Sequence, residues 1–417
     1  MPRLLIDIRP LRESPAFRRL WAGSGLSTIG SQMTSFAVSL QVFTLTHSSV
    51  AVGAVGLAIA VPAITFGLFA GSVVDAVDRR KVVLVGTSGA ALVSVALAVQ
   101  AFAGFDRLWP LYCLVVVQSV LASVNGPARR TFLPRLLPSE RVQAGAALSM
   151  FAMHAGVIAG PALAGVITAA WGLKVCYVVD AVSYGAALYG VGRLPAMPPQ
   201  GEPVRPGPRA VVDSLRFIGR SRVLTGALLS DLSATVLGMP FALFPAVNAA
   251  HFGGAAQTLG LLTAAPSIGG VVGMLLSGTF GNVRRPGRAM LVAGAVWGAG
   301  IAGFGAVHVF VLALGCLAVA GIGDSSSVVF RTTMIQLATP DGQRGRVSAA
   351  EFVVGAGCPQ LGNFRAGLVG SLTTPSISAI SGGIATVLGA ALIGLALPGF
   401  AKYQLTSSKV EVLPSKS

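Results

Sequence analysis

The sequence predicts an all-α, polytopic membrane protein with twelve transmembrane helices in two pseudo-symmetric six-helix halves. Three observations carry this. Of the 417 residues, 53% are hydrophobic and only 11% are charged, whereas soluble domains carry about 25% charged residues. The apolar residues gather into runs close to the ~20 that a helix needs to cross the hydrocarbon core. The charge that remains, net +16, sits mostly in alternate turns, as it does in cytoplasmic loops.

Taken in order, the spans fall at 18–45, 50–74, 82–104, 108–129, 142–169, 174–193, 223–249, 257–280, 288–306, 309–332, 347–371 and 377–400. Residues 1–17 are a basic, mildly amphipathic lead-in. The first apolar run follows Arg18-Arg19 and reads as an uncleaved span, not a signal peptide. The first half is 18–193, and 194–222 is the one long polar interruption, with six prolines between Pro195 and Pro208. Within it, residues 210–219 put apolar side chains on one helical face, which predicts a short helix lying on the membrane surface. The second half is 223–400, and 401–417 is a tail. Twelve spans place both termini on one side, and the arginines and lysines put that side in the cytoplasm; only Arg107, Lys174 and Arg365 fall elsewhere. The basic charge is therefore a topology signal and not a nucleic-acid surface. The expected setting is the cell (inner) membrane.

The turn after the second span reads Gly71-Ser-Val-Val-Asp75-Ala-Val-Asp78-Arg79-Arg80-Lys81. Such charges can bond the end of a facing helix in one state and release it in another. The alternative is that the basic residues only anchor the topology. The second half echoes this turn with Gly278 and Asn282, followed by Arg284, Arg285 and Arg288. Paired six-helix halves are the repeat logic of secondary transporters, with the substrate site between them near the midplane. Span 5 carries Gly156-x-x-x-Gly160-Pro161-x-x-Ala164-Gly165. Small residues at this spacing admit a close neighbour, and the proline permits a bend.

These residues resemble the major facilitator superfamily. Gly71, Asp75, Arg79 and Arg80 match its loop 2–3 signature, although Ala76 stands where a basic residue is common and Asp78 where a glycine is usual. The span-5 pattern of Gly156, Gly160, Pro161 and Gly165 is similar to that superfamily's antiporter motif. Further matches are Ser14-Pro15-Ala16-Phe17-Arg18, Thr46-His47-Ser48, Thr339-Pro340, Gly345-Arg346-Val347 and Thr374-Pro375. They point to the branch of enterobactin-type siderophore exporters and macrolide-efflux proteins. The resemblance implies the twelve-helix fold, outward transport, and gating by Gly71, Asp75, Arg79 and Arg80. It implies that the loop docks near Glu351, which could meet Arg79 or an arginine of span 4.

Ionisable groups inside spans are costly and normally face protein or a water-filled cavity. Asp231 lies nine residues beyond Arg222, which at about 1.5 Å per residue approaches mid-membrane. It is either a proton carrier or a carboxylate paired with another helix. Asp324 and Arg331, seven apart on one face of span 10, could bridge, with proton coupling as the second option. His154 in span 5 is a third proton-coupling candidate, the alternative being a structural hydrogen bond. Arg365, preceded by Gln360 and Asn363 in span 11, would suit an anionic substrate or could pair with Asp180 in span 6. Gln32, Gln118, Asn125 and Phe241 are the remaining candidates for the cavity lining.

The expectation is a secondary exporter, proton-coupled by antiport and working by alternating access. Its substrate is a small amphipathic molecule, by resemblance a siderophore, with antibiotic or multidrug efflux as the alternative and an importer or uniporter on the same fold as a further one. No phosphate-binding loop of the GxxxxGK[ST] type is present, so ATP is not the direct energy source. There is no HExxH or GxSxG motif, and His47, His251 and His308 fall at outer turns, which speaks against an enzyme. No metal or cofactor is expected, and the protein is expected to be a monomer.

Overall fold

Several helices begin where the sequence supplies a capping side chain or a proline. In the computed structural model, α1 (Pro15–Thr46) opens on Ser14, whose hydroxyl oxygen accepts from the Phe17 N–H at 3.2 Å, with Pro15 in the first turn. It ends at His47, whose φ of 50° turns the chain back. α2 (Ser49–Ala76) returns, and α3 (Arg79–Phe102) is capped by Asp78, whose carboxylate accepts from the Arg80 N–H at 2.9 Å. The position that departs from the family signature thus has a local task. α4 (Leu108–Arg130), α5 (Ser139–Trp171) and α6 (Lys174–Gly192) complete the first half. The second half holds α7 (Arg222–Gly238), α8 (Ala256–Leu276), α9 (Pro286–Ala306), α10 (Phe310–Ala338), α11 (Arg344–Leu372) and α12 (Pro375–Ala396).

The structure describes residues 7–105, 107–198, 216, 218–276, 283–339 and 344–404. Of residues 68–76, 130, 344–346, 348–350, 352 and 353 it describes the backbone alone. The Gly278–Asn282 echo and most of the expected surface helix lie outside the described residues, where only Arg216 and 218–220 are seen as helical. Ten helical stretches are long and apolar enough to cross a membrane among the described residues. α1 and α11 are the two that fall short. Both are rich in hydroxyl, amide or charged side chains, and both line the central cavity described below. The outward faces of the other helices carry exposed leucines such as Leu92 (70%), Leu275 (79%) and Leu395 (79%), a surface that suits lipid.

The helix contacts repeat with a period of six. α1 packs on α5 and α6 as α7 packs on α11 and α12; α3 packs on α4 and α6 as α9 packs on α10 and α12. Between the halves the partners are crossed: α2 lies along α11, and α8 along α5. Each of these four interface helices contains an interior proline, Pro62, Pro161, Pro266 and Pro359. A proline removes one helix hydrogen bond and bends the axis, which lets long helices close over a space between the halves. α1 starts and α12 ends at one end of the bundle, here the termini end, opposite the far end.

The seventh span departs from the uninterrupted run expected at 223–249. α7 stops at Gly238; a 3₁₀ turn at Phe241–Leu243 follows, and a second helical arm runs over Phe244–His251. Gly238 has to be small, since a Cβ there would stand 2.6 Å from the Trp297 indole nitrogen. Pro240 brings no N–H to continue the ladder.

Candidate functional site

Between the halves lies a cavity of two adjoining chambers, about 390 and about 350 Å³, which share Ser35, Ser39, Ile59, Phe241, Gln360 and Asn363. Of the expected lining residues, Gln118 faces the first chamber, Gln32 the second, and Phe241 and Asn363 both. α1 supplies Ser31, Ser35 and Ser39, one turn apart on one face. Phe241 reaches the cavity because the break in α7 turns the chain there, and the Ala242 N–H next to it donates to Asn363 Oδ1 at 3.4 Å. Among the described residues, no charged side chain lines either chamber.

Two expected lining residues stand elsewhere. Asn125 packs on α3, where a Cβ at Gly86 would be 2.7 Å from its Oδ1. Arg365 reaches neither substrate space nor Asp180: its Nη1 donates to the Leu237 carbonyl at 2.6 Å. That carbonyl belongs to the last turn of α7, where the break leaves backbone acceptors without helical partners, so the guanidinium caps the broken helix. Asp180 is fully buried in the other half and accepts from Thr34 Oγ1 and Ser94 Oγ, both at 2.7 Å, tying α1, α3 and α6 together.

A charge cluster sits in the second half, toward the termini end. Arg331 pairs with Asp231, and its Nε stands 3.7 Å from Glu351 Oε1. Asp324, expected to bridge Arg331, instead lies within electrostatic reach of both Asp231 and Arg331 and is itself exposed. The cluster therefore brings three carboxylates around one guanidinium, drawn from α7, α10 and α11. Among the described residues Glu351 meets Arg331 of α10, in its own half.

The gating candidates are only partly described. Gly71 and Asp75 form the closing turns of α2, with side chains outside the described residues. The Arg79 N–H donates to the Met197 carbonyl at 3.1 Å, and Arg80 Nη2 to the Gly192 carbonyl at 2.5 Å. The turn is thus fastened to the end of α6. His154 lies in α5, and its Nε2 is buried with no hydrogen-bond partner in the described structure. Sequence reading counted Arg129 among the basic residues that mark the topology and the span-4 arginines that Glu351 could meet, and gave it no partner in its own half. Its Nη1 reaches Ser24 Oγ at 3.3 Å and its Nη2 reaches Thr87 Oγ1 at 3.0 Å, joining α1, α3 and α4.

The span-5 glycines divide their work. A Cβ at Gly156 would stand 2.7 Å from Thr28, and one at Gly160 would stand 3.0 Å from the Ile29 carbonyl, so both seat α5 on α1. A Cβ at Gly165 would meet the Ala256 carbonyl at 2.6 Å, and one at Gly260 the Pro161 carbonyl at 2.6 Å. These two seat α5 on α8 of the other half. On the opposite flank the Val50 N–H donates to Ser371 Oγ at 2.9 Å. The described approaches between halves run from the far end to mid-depth, where Gly357 faces Ile64.

Two six-helix halves packed crosswise around a central cavity define a membrane transporter of the major facilitator fold, and not an enzyme. The family model described as "Transmembrane secretion effector" matches residues 7–415, and the chain belongs to that family. It is 28% identical over 394 residues to the enterobactin exporter EntS of Citrobacter koseri, covering 94% of each chain. It is 26% identical over 409 residues to the EntS of Shigella boydii serotype 18, covering 97% of each. The nucleoside transporter NupG superposes with a TM-score of 0.76 at 13% identity, over 93% of this chain and 100% of that one. An inward-facing bacterial homologue of the human lysosomal transporter Spinster gives 0.73 at 15%, over 96% and 100%. These two structures share the fold.

Proposed function

We propose that this protein exports a siderophore of the enterobactin class across the cell membrane by alternating access, coupled to proton entry. The observation that carries the reading is the cavity between the halves, in a family whose curated relatives are named as enterobactin exporters. Its apolar walls, with Val38, Val52, Val55, Ile59 and Phe241, suit aromatic rings, and its hydroxyls and amides suit their polar substituents. The concentration of arginines at the termini end supports a cytoplasmic location for both termini. The far-end approaches between the halves support a state open to the cytoplasm.

In this reading Asp231, Asp324 and Arg331 form the proton-coupling site. Protonation of a carboxylate in the cluster weakens its hold on Arg331 and frees α10 to move against α7 and α11. Glu351 and the loop holding Gly71, Asp75, Arg79 and Arg80 gate the cytoplasmic side, and His154 is the reserve proton carrier in the first half. The protein works as a monomer, since each copy holds its own cavity. The apolar share of the lining favours lipophilic antibiotics as the second reading. Expression in a bacterium lacking its own siderophore exporter is the test. Restored enterobactin in the medium is expected. Unchanged secretion, together with new resistance to a macrolide, would replace the first reading with the second.

A further inference from the structure

The hydrogen-bonding direction of the cavity wall narrows the substrate further. Six hydroxyls line the first chamber, and each donates its proton to the protein. Ser31, Ser35 and Ser39 donate to carbonyls one turn back at 2.9, 3.0 and 3.0 Å. Ser119 donates to the Ile59 carbonyl and Ser123 to the Ser119 carbonyl, both at 2.7 Å. Thr34 donates to the buried Asp180 carboxylate at 2.7 Å. What these groups offer the cavity is oxygen lone pairs. Gln118 adds to them: its Nε2 donates to the Tyr184 hydroxyl at 2.9 Å, and its buried Oε1 has no partner. The donors left are amide N–H groups of Gln118, Gln360 and Asn363. Among the described residues no cation lines the chamber, and a carboxylate stands directly behind Thr34.

A wall of acceptors with a hydrogen-bond-accepting carboxylate behind it favours a ligand that donates hydrogen bonds. An anion placed there would lose its hydration and gain no cation, and its lone pairs would face lone pairs. We infer that the cavity selects its substrate as an uncharged hydrogen-bond donor, taking a polyphenolic chelator with its hydroxyls protonated and metal-free, and excluding its anionic metal complex. In its siderophore form this rests on the reading above. The donor preference itself stands on the wall alone. It also gives export a direction, because a chelator that binds metal outside the cell loses both its donors and its neutrality and does not re-enter by the same cavity.

Isothermal titration calorimetry on the full chain in lipid nanodiscs, in mildly acidic buffer, tests this with two pairs of probes. One pair is metal-free enterobactin against its ferric complex; the other is chloramphenicol against its derivative with both hydroxyls acetylated. The donor form of each pair is expected to bind at least about tenfold more tightly. Ser35→Lys, which puts a cation on an exposed part of the wall, is expected to raise the affinity for the ferric complex. Combined Ser31→Ala, Ser35→Ala and Ser39→Ala changes are expected to lower that for the metal-free form by about threefold or more, with melting temperature unchanged. Preference within the chloramphenicol pair, with no binding of either form of enterobactin, would remove the siderophore reading and keep the donor rule. A reversed preference in either pair, or none in both, overturns the rule.

Discussion

Arg365 shows how one side chain can hold a cavity without touching it. Its guanidinium satisfies the Leu237 carbonyl at the break of α7, and the break in turn presents Phe241 to the substrate space. Arg365→Met leaves that acceptor without a partner, at a cost of about 1–3 kcal/mol. Thermal melts in detergent are expected to show a fall of several degrees, recovered in part by Arg365→Lys. Asp231→Asn is expected to cost more, about 3–5 kcal/mol, because Arg331 then loses its directly paired carboxylate and keeps the more distant Glu351, at 3.7 Å, and Asp324. Removing both charges with Asp231→Leu and Arg331→Met should restore much of the loss, and a double-mutant cycle on melting curves would show it. At this scale the sequence was legible only in part. It flagged Asp231, Asp324, Arg331, Glu351 and Arg365 as charges inside spans. Their partners lie on helices many residues away, and spacing along the chain carries no information about such pairs. Gln32, Gln118 and Asn363 were found because amides within an apolar span seek a wet or polar face.

At the scale of helices, the interface between the halves depends on small residues and prolines. The glycines of span 5 were readable as a close-packing stripe, but the sequence could not say that Gly156 and Gly160 serve α1 while Gly165 serves α8. Gly165→Val is expected to force α5 and α8 apart at the far end. Transport should fall by at least about tenfold, and a cysteine placed beside Ala256 should become reactive to a membrane-impermeant maleimide. Pro266→Ala restores a helix hydrogen bond in α8, which in exposed helices is worth up to about 3 kcal/mol. It is expected to raise the melting temperature and slow turnover, since a stiffer interface helix resists the change of state. Unchanged turnover in that variant would mean the bend is not used in transport. The break in α7 carried its own signal, Gly238 and Pro240 two residues apart. A window of apolar residues hides such a break, because hydropathy does not register a missing N–H.

For the whole molecule, the sequence was most informative. Twelve spans, their division six and six, and the basic turns all follow from the cost of placing charge and open backbone in hydrocarbon. The crossed packing of α2 on α11 and α8 on α5 does not follow from these, and it creates the cavity. The described approaches hold the halves together from the far end to mid-depth, which in the proposed export cycle leaves loading to the termini end. The most direct test is simultaneous measurement of substrate and proton movement in proteoliposomes that carry an internal pH dye under an imposed pH gradient. Metal-free enterobactin should move against its own gradient with proton flow in the opposite direction, and Asp231→Asn should abolish that coupling. Passage of enterobactin with no proton movement would contradict antiport, and no passage of enterobactin at all would contradict the siderophore assignment.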